Sequence, residues 1–108
     1  MLNEKTINII KSTVYEIIPP SIIEQIIIFG SCARGDDTED SDTDICIILL
    51  SDLDRNRIKS YRYELNKIFA IKYRMPTDII FKISYEYKRY KDVAGAIEYA
   101  IATEGVPL

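Results

Sequence analysis

Residues 26–50 read IIIFGSCARGDDTEDSDTDICIILL, and the fold turns on this stretch. An apolar run ends at Gly30-Ser31, an acidic loop follows, and Asp42-Thr43-Asp44 opens a second apolar run. Isoleucine crowds residues 22–29, so a buried strand suits them better than a short helix. Residues 42–50 hold too many branched side chains in succession for a half-wetted strand, which predicts a strand covered on both faces. Between the two, Ser31 is a capping type of residue and Gly35 a stopping one, so residues 31–35 predict one or two helical turns.

Working outward, Ile7, Ile10, Val14, Ile17 and Ile18 recur at helical spacing over residues 3–18, and Pro19-Pro20 forbids continuation. Beyond the central stretch, residues 51–54 fit a capping box. Ile58, Tyr61, Leu65, Ile68 and Phe69 then hold one helical face to about Tyr73, where Met75-Pro76 stops it. Residues 77–83 alternate, with Ile79, Phe81 and Ile83 against Asp78, Ile80 and Lys82, as expected of a less completely covered strand. Residues 85–91 mix tyrosines with Lys88, Arg89 and Lys91 and suit a loop or a short irregular helix. Asp92 can cap a last helix carrying Val93, Ala96, Ile97, Ala100 and Ile101, ended by Gly105 and Pro107. The expected class is α/β (α+β), a small mixed sheet with helices packed on it, and there is no internal repeat or linker.

With 108 residues and 47% hydrophobic content, the chain supports one domain and one core over residues 1–108. A formal net charge of −3 excludes a broad nucleic-acid surface. The two cysteines, Cys32 and Cys46, without any histidine cannot furnish a zinc site, and Cys46 reads as a small core residue. No leader and no apolar run near the roughly 18 residues of a membrane span stand out, so the expectation is a cytoplasmic protein with no membrane contact.

The acids carry the chemistry. In a strand, Asp42 and Asp44 point to the same side with Cα atoms roughly 6.6 Å apart. A strand–helix–strand connection of this length returns parallel, which puts Asp78 about 4.8 Å across from the pair if the two strands are neighbours. Three carboxylates so close raise one another's pKa, and divalent cations relieve that cost. Oxygen ligands without histidine or thiolate suit Mg²⁺ or Mn²⁺, and such a pair of ions serves phosphoryl or nucleotidyl transfer. A calcium loop beginning at Asp40 fails, because Ile45 stands where glycine is needed and Ser51 where a bidentate glutamate belongs.

Gly30-Ser31 offers a phosphate seat, with no side chain at Gly30, a hydroxyl at Ser31 and free backbone N–H groups. The first strand most simply joins the second as an antiparallel neighbour, which sets this seat beside Asp42 and Asp44. Any strand-to-helix turn favours Gly-Ser, so the pair gains meaning from the aspartates. Arg34 can reach an anion there, or can equally pair with a carboxylate of the acidic loop. Asp36, Asp37, Glu39 and Asp40 read as a solvated turn.

Gly30-Ser31, ten intervening residues, Asp42-x-Asp44 and the later strand-borne Asp78 resemble the signature of the DNA polymerase β-like nucleotidyltransferase superfamily. The fuller string GSCARG…SDTDI, the short length and the segment EGVPL resemble its minimal nucleotidyltransferase branch, the MNT-type antitoxins. The resemblance implies a mixed-sheet, palm-like nucleotidyltransferase fold, two Mg²⁺ ions and ATP or another nucleoside triphosphate as donor. By that analogy Asp42 and Asp44 bridge both metals, and Asp78 binds the catalytic metal and helps deprotonate the acceptor. Gly30, Ser31 and Arg34 hold the nucleotide. It further implies a HEPN-type toxin as partner in a hetero-oligomer, silenced by transfer of AMP to a hydroxyl, a tyrosine by family habit, in a type VII-like toxin–antitoxin pair. The rival functions are a binding-only antitoxin that sequesters its partner and a small-molecule (antibiotic) nucleotidyltransferase.

Overall fold

Asn3 starts the first helix by accepting a hydrogen bond from the Thr6 amide at 2.9 Å, which satisfies one of the donors every helix start leaves open. Helix α1, Glu4–Ile17, then runs until the two prolines, and a 3-10 turn over Pro20–Ile22 leads into β1, Ile23–Phe29. Asn3→Ala is expected to cost about 1 kcal/mol of unfolding free energy, read as a lower urea midpoint at unchanged slope. The computed structural model describes residues 2–108.

A four-residue helix, α2, Ser31–Arg34, follows, with Gly30 as its N-cap and Gly35 in the left-handed region as its C-cap. Ser31 is therefore the first helical residue rather than the cap. Strand β2, Thr43–Leu49, is buried along nearly its whole length, as its composition predicts. Helix α3, Arg55–Tyr73, is capped by Asp54, whose carboxylate accepts from the Asn56 amide at 2.9 Å; the capping residue is Asp54 and not Ser51. Strand β3, Thr77–Ile83, matches its expected bounds, and residues 84–90 form a regular helix, α4, Ser84–Tyr90.

The last helix begins later than Asp92 suggests. Gly95 at φ 94° turns the chain first, and α5 spans Ile97–Glu104 with no side-chain cap. Beyond Gly105 a two-residue strand, β4, Val106–Pro107, joins the sheet; its shortness and its proline hid it in the sequence.

The sheet has four strands in the order β3-β2-β1-β4. Strands β1 and β2 pair antiparallel, with Phe29 opposite Asp44. The crossover through α3 returns β3 parallel to β2, with Asp44 opposite Asp78. Strand β4 lies antiparallel on the other side of β1, Ile28 opposite Val106.

Alternation along the strands sorts the apolar side chains onto two faces. Ile26, Ile28, Ile45, Ile47, Leu49 and Ile79 pack against Ile10 and Val14 of α1 and Leu65 and Phe69 of α3. Ile27, Cys46 and Ile48 pack on the opposite face with Tyr87 of α4 and Ile101 of α5. Each fully buried isoleucine or leucine contributes roughly 1.5–3 kcal/mol of transfer free energy, so the β2 run anchors both cores. Burial pushes the Cys46 thiol up to about 12, in keeping with a core role. On the second face Lys82 reaches Glu98 at 3.4 Å, giving the otherwise buried carboxylate a partner. At the outer border of the sheet, Arg62 of α3 donates through Nε to the Ile79 carbonyl at 3.0 Å and lies over the Phe81 ring at 5.5 Å.

Candidate active site

Asp44 shares its side of β2 with Cys46 and Ile48, so its carboxylate rises from the face covered by α4 and α5. Asp78 lies opposite it on β3, and Asp42, two residues before Asp44, just precedes β2. Asp42 and Asp78 are exposed, whereas Asp44 is half-buried. The parallel return of β3 is thus what joins an acid at position 78 to acids at 42 and 44.

Gly30 stands on the other side of Asp44. Its backbone, at φ 74° and ψ −154°, lies in a region open essentially to glycine alone. A Cβ built there would run into the Asp44 carboxylate. Two independent requirements therefore exclude a side chain, and the turn from β1 into α2 wraps closely on the carboxylate. Ser31, half-buried, follows directly.

Asp44 is held above the usual carboxylate range, first by burial, then by the charges of Asp78 and of Asp42, with Arg34 opposing. The charges of Asp78 and Asp42 therefore reach Asp44, the middle acid of the three. They do not form a closed ligand set: among the described residues, no group of three or more His, Cys, Asp or Glu is arranged to hold a metal ion. A donor set of oxygen atoms with uncompensated negative charge still fits Mg²⁺, which takes one or two carboxylates together with substrate phosphates rather than a cage made wholly of protein.

The raised pKa of Asp44 has a stability consequence with a definite sign. The folded state binds the proton more readily than the unfolded state, so the charged form burdens folding above the raised pKa and not below the ordinary value of about 3.9. In buffer containing a chelator, Asp44→Asn is expected to raise the thermal midpoint by a few degrees at neutral pH, with the gain vanishing as acid protonates the wild type. Thermal unfolding scans at several pH values check this.

Arg34 is engaged. Its Nε donates to Asp36 at 3.2 Å and its Nη1 to Glu104, at the end of α5, at 3.1 Å. The loop carboxylate was legible as an alternative partner; Glu104, seventy residues away, was not. Within the acidic loop, Ser41 Oγ accepts from the Thr38 amide at 2.9 Å and the Ser41 amide donates to the Thr38 carbonyl at 3.1 Å, which closes a turn. Asp36, Glu39 and Asp40 are exposed there.

Of the surface depressions, an apolar groove of about 470 Å³ lies on the outer side of α3 between Tyr63, Lys67 and Ile71, away from the acids. It gathers no catalytic constellation. In the segment 84–91, Tyr87 is buried in the second core while Tyr85 and Tyr90 are exposed, so part of that tyrosine-rich stretch is structural.

The neighbouring strands β2 and β3 of this mixed sheet thus present acids at one end, beside a turn that admits no side chain. The chain belongs to the nucleotidyltransferase domain family, whose model matches residues 5–98. Among solved structures it resembles a mutant of the toxin–antitoxin MntA–HpeT, at 25% identity and TM-score 0.61, with 100% of this chain and 72% of that one covered. A toxin–antitoxin structure with AMP-PNP aligns at 24% identity and TM-score 0.64, over 98% of this chain and 72% of that one. A complex of the tri-AMPylated Shewanella oneidensis HEPN toxin with the MNT antitoxin aligns at 20% identity and TM-score 0.53, over 93% and 66%. No curated protein sequence gives a significant match. No helix among the described residues is long and apolar enough to cross a membrane.

Proposed function

We propose that this chain is the MNT-type antitoxin of a toxin–antitoxin pair and transfers AMP from ATP to a hydroxyl, by family habit a tyrosine, of a HEPN-type toxin. The observation that carries the proposal is the meeting of Asp44, Asp78 and the side-chain-free Gly30 turn at one end of the sheet. The likeness to toxin–antitoxin structures over essentially the whole chain supports the choice of partner. The exposure of Asp42 and Asp78 supports an acceptor as large as a protein.

In this reading residues 1–108 act as one nucleotidyltransferase domain. Asp42, Asp44 and Asp78 would hold two Mg²⁺ ions, which when bound would neutralise the triphosphate and favour departure of pyrophosphate. Gly30 and Ser31 seat the triphosphate, with Arg34 beside them as a guanidinium donor. Asp78 accepts the proton of the acceptor hydroxyl as its oxygen bonds to the α-phosphorus and the bond to pyrophosphate breaks. Use of ATP implies the cytoplasm as compartment. The test is the intact mass of the partner after incubation with this chain, ATP and Mg²⁺. An added adenylyl group supports the proposal, and an unchanged mass overturns it.

A further inference from the structure

The contact between Arg34 and Glu104 joins the nucleotide side of the site to the end of the last helix. Glu104 is set there by a tight corner. The Gly105 amide donates to the Ile101 carbonyl at 2.9 Å, and the Leu108 amide to the Ile26 carbonyl at 2.9 Å. A Cβ on Gly105 would collide with that Ile101 carbonyl and with the Ile27 side chain. The corner is therefore pressed onto β1, and the β4 pairing holds it in register. Asp36 is fixed in its turn by its own amide, which donates to the Ser31 carbonyl at 3.1 Å. Two carboxylates with well-defined backbones thus grip one guanidinium, one from two residues along the chain and the other from seventy.

We propose that Glu104 is a positioning residue: together with Asp36 it holds the Arg34 guanidinium over the Gly30-Ser31 turn for the nucleotide's phosphates. The inference rests on the nucleotidyltransferase reading and on Arg34 as a phosphate ligand. A guanidinium has five N–H donors, and the two carboxylates occupy one each of the Nε and Nη1 hydrogens. The remaining donors stay available to an anion. Fixing the side chain beforehand removes the rotamer entropy that binding otherwise has to overcome. The opposite effect, competition of Glu104 with phosphate for Arg34, predicts the reverse sign and so separates the two roles.

The experiment is calorimetric titration of the chain with AMP-PNP and Mg²⁺, for the wild type, Glu104→Gln, Arg34→Gln and the double variant, with thermal midpoints alongside. Glu104→Gln is expected to weaken binding roughly two- to five-fold, the scale of one exposed ion pair, at an unchanged midpoint. Arg34→Gln is expected to weaken it roughly ten-fold, and adding Glu104→Gln to it is expected to change nothing further. Tighter or unchanged binding by Glu104→Gln, or a full additional loss in the Arg34→Gln background, overturns the proposal. A wild type that binds no AMP-PNP overturns the nucleotide reading itself, whereas a wild type that binds while Glu104→Gln is silent overturns only the role of Glu104.

Discussion

Changing Asp42 and Asp44 together to Asn is expected to lower adenylyl transfer by at least about 10³-fold, on the scale that a factor of ten corresponds to about 1.4 kcal/mol. The substitution keeps volume and backbone and removes only charge and its cation-binding oxygen. Folding is not at risk, because Asp44 is the acid that burial and its neighbours make unfavourable to ionise. The variant should therefore be at least as stable as the wild type and still fail at chemistry, a combination that unfolding cannot mimic. The measurement is the intact mass of the co-expressed partner: adenylyl groups with the wild type, none with the variant. An unchanged adenylyl mass with the variant would remove the two aspartates from the mechanism. If the variant transferred nothing yet protected cells from the toxin as well as the wild type, neutralisation would be by sequestration instead.

Gly30→Ala is expected to be severely damaging to nucleotide binding. The backbone at Gly30 disfavours any side chain by an amount on the order of 1–3 kcal/mol. The new methyl would also occupy the place of the Asp44 carboxylate, so either the turn or the carboxylate has to move. A displaced acid and a displaced phosphate seat together should abolish AMP-PNP binding. Gly35→Ala supplies the control. Gly35 also has a positive φ, 82°, but nothing lies within 4 Å of its missing Cβ. It should cost about 1 kcal/mol and leave nucleotide binding intact. Equal binding losses in the two variants would show that backbone strain, and not contact with Asp44, accounts for the effect.

Much of this is legible in the amino-acid sequence alone, for identifiable reasons. The β2 run is so densely branched that only a strand covered on both faces accommodates it, and the length of the α3 crossover dictates a parallel return. Together these put Asp78 beside Asp44. The antiparallel pairing of β1 with β2, the simplest way to join the two, likewise sets Gly30-Ser31 beside Asp44, as observed; what the sequence does not show is that the Gly30 backbone leaves no room for a side chain against the Asp44 carboxylate. Ser51 and Asp92 looked like caps because capping chemistry recurs wherever Ser or Asp precedes an apolar stretch; Asp54 and the Gly95 turn decided otherwise. Strand β4 and Glu104 were out of reach, since two residues carry no periodicity and an ion pair spanning seventy positions leaves no trace in spacing.

The border at β3 bears on how copies of this molecule behave toward one another. A seven-residue strand with only β2 beside it is long enough to recruit a strand from another molecule, and such recruitment is the first step toward stacked fibres. Here the arriving strand would find the Ile79 carbonyl already bonded to the Arg62 guanidinium, and that guanidinium lying over Phe81. Asp78 and Lys82 add charge along the same strand. A helix whose inner side builds the core thus uses one arginine to occupy part of the sheet's border, which works against pairing of β3 with a strand from a neighbour.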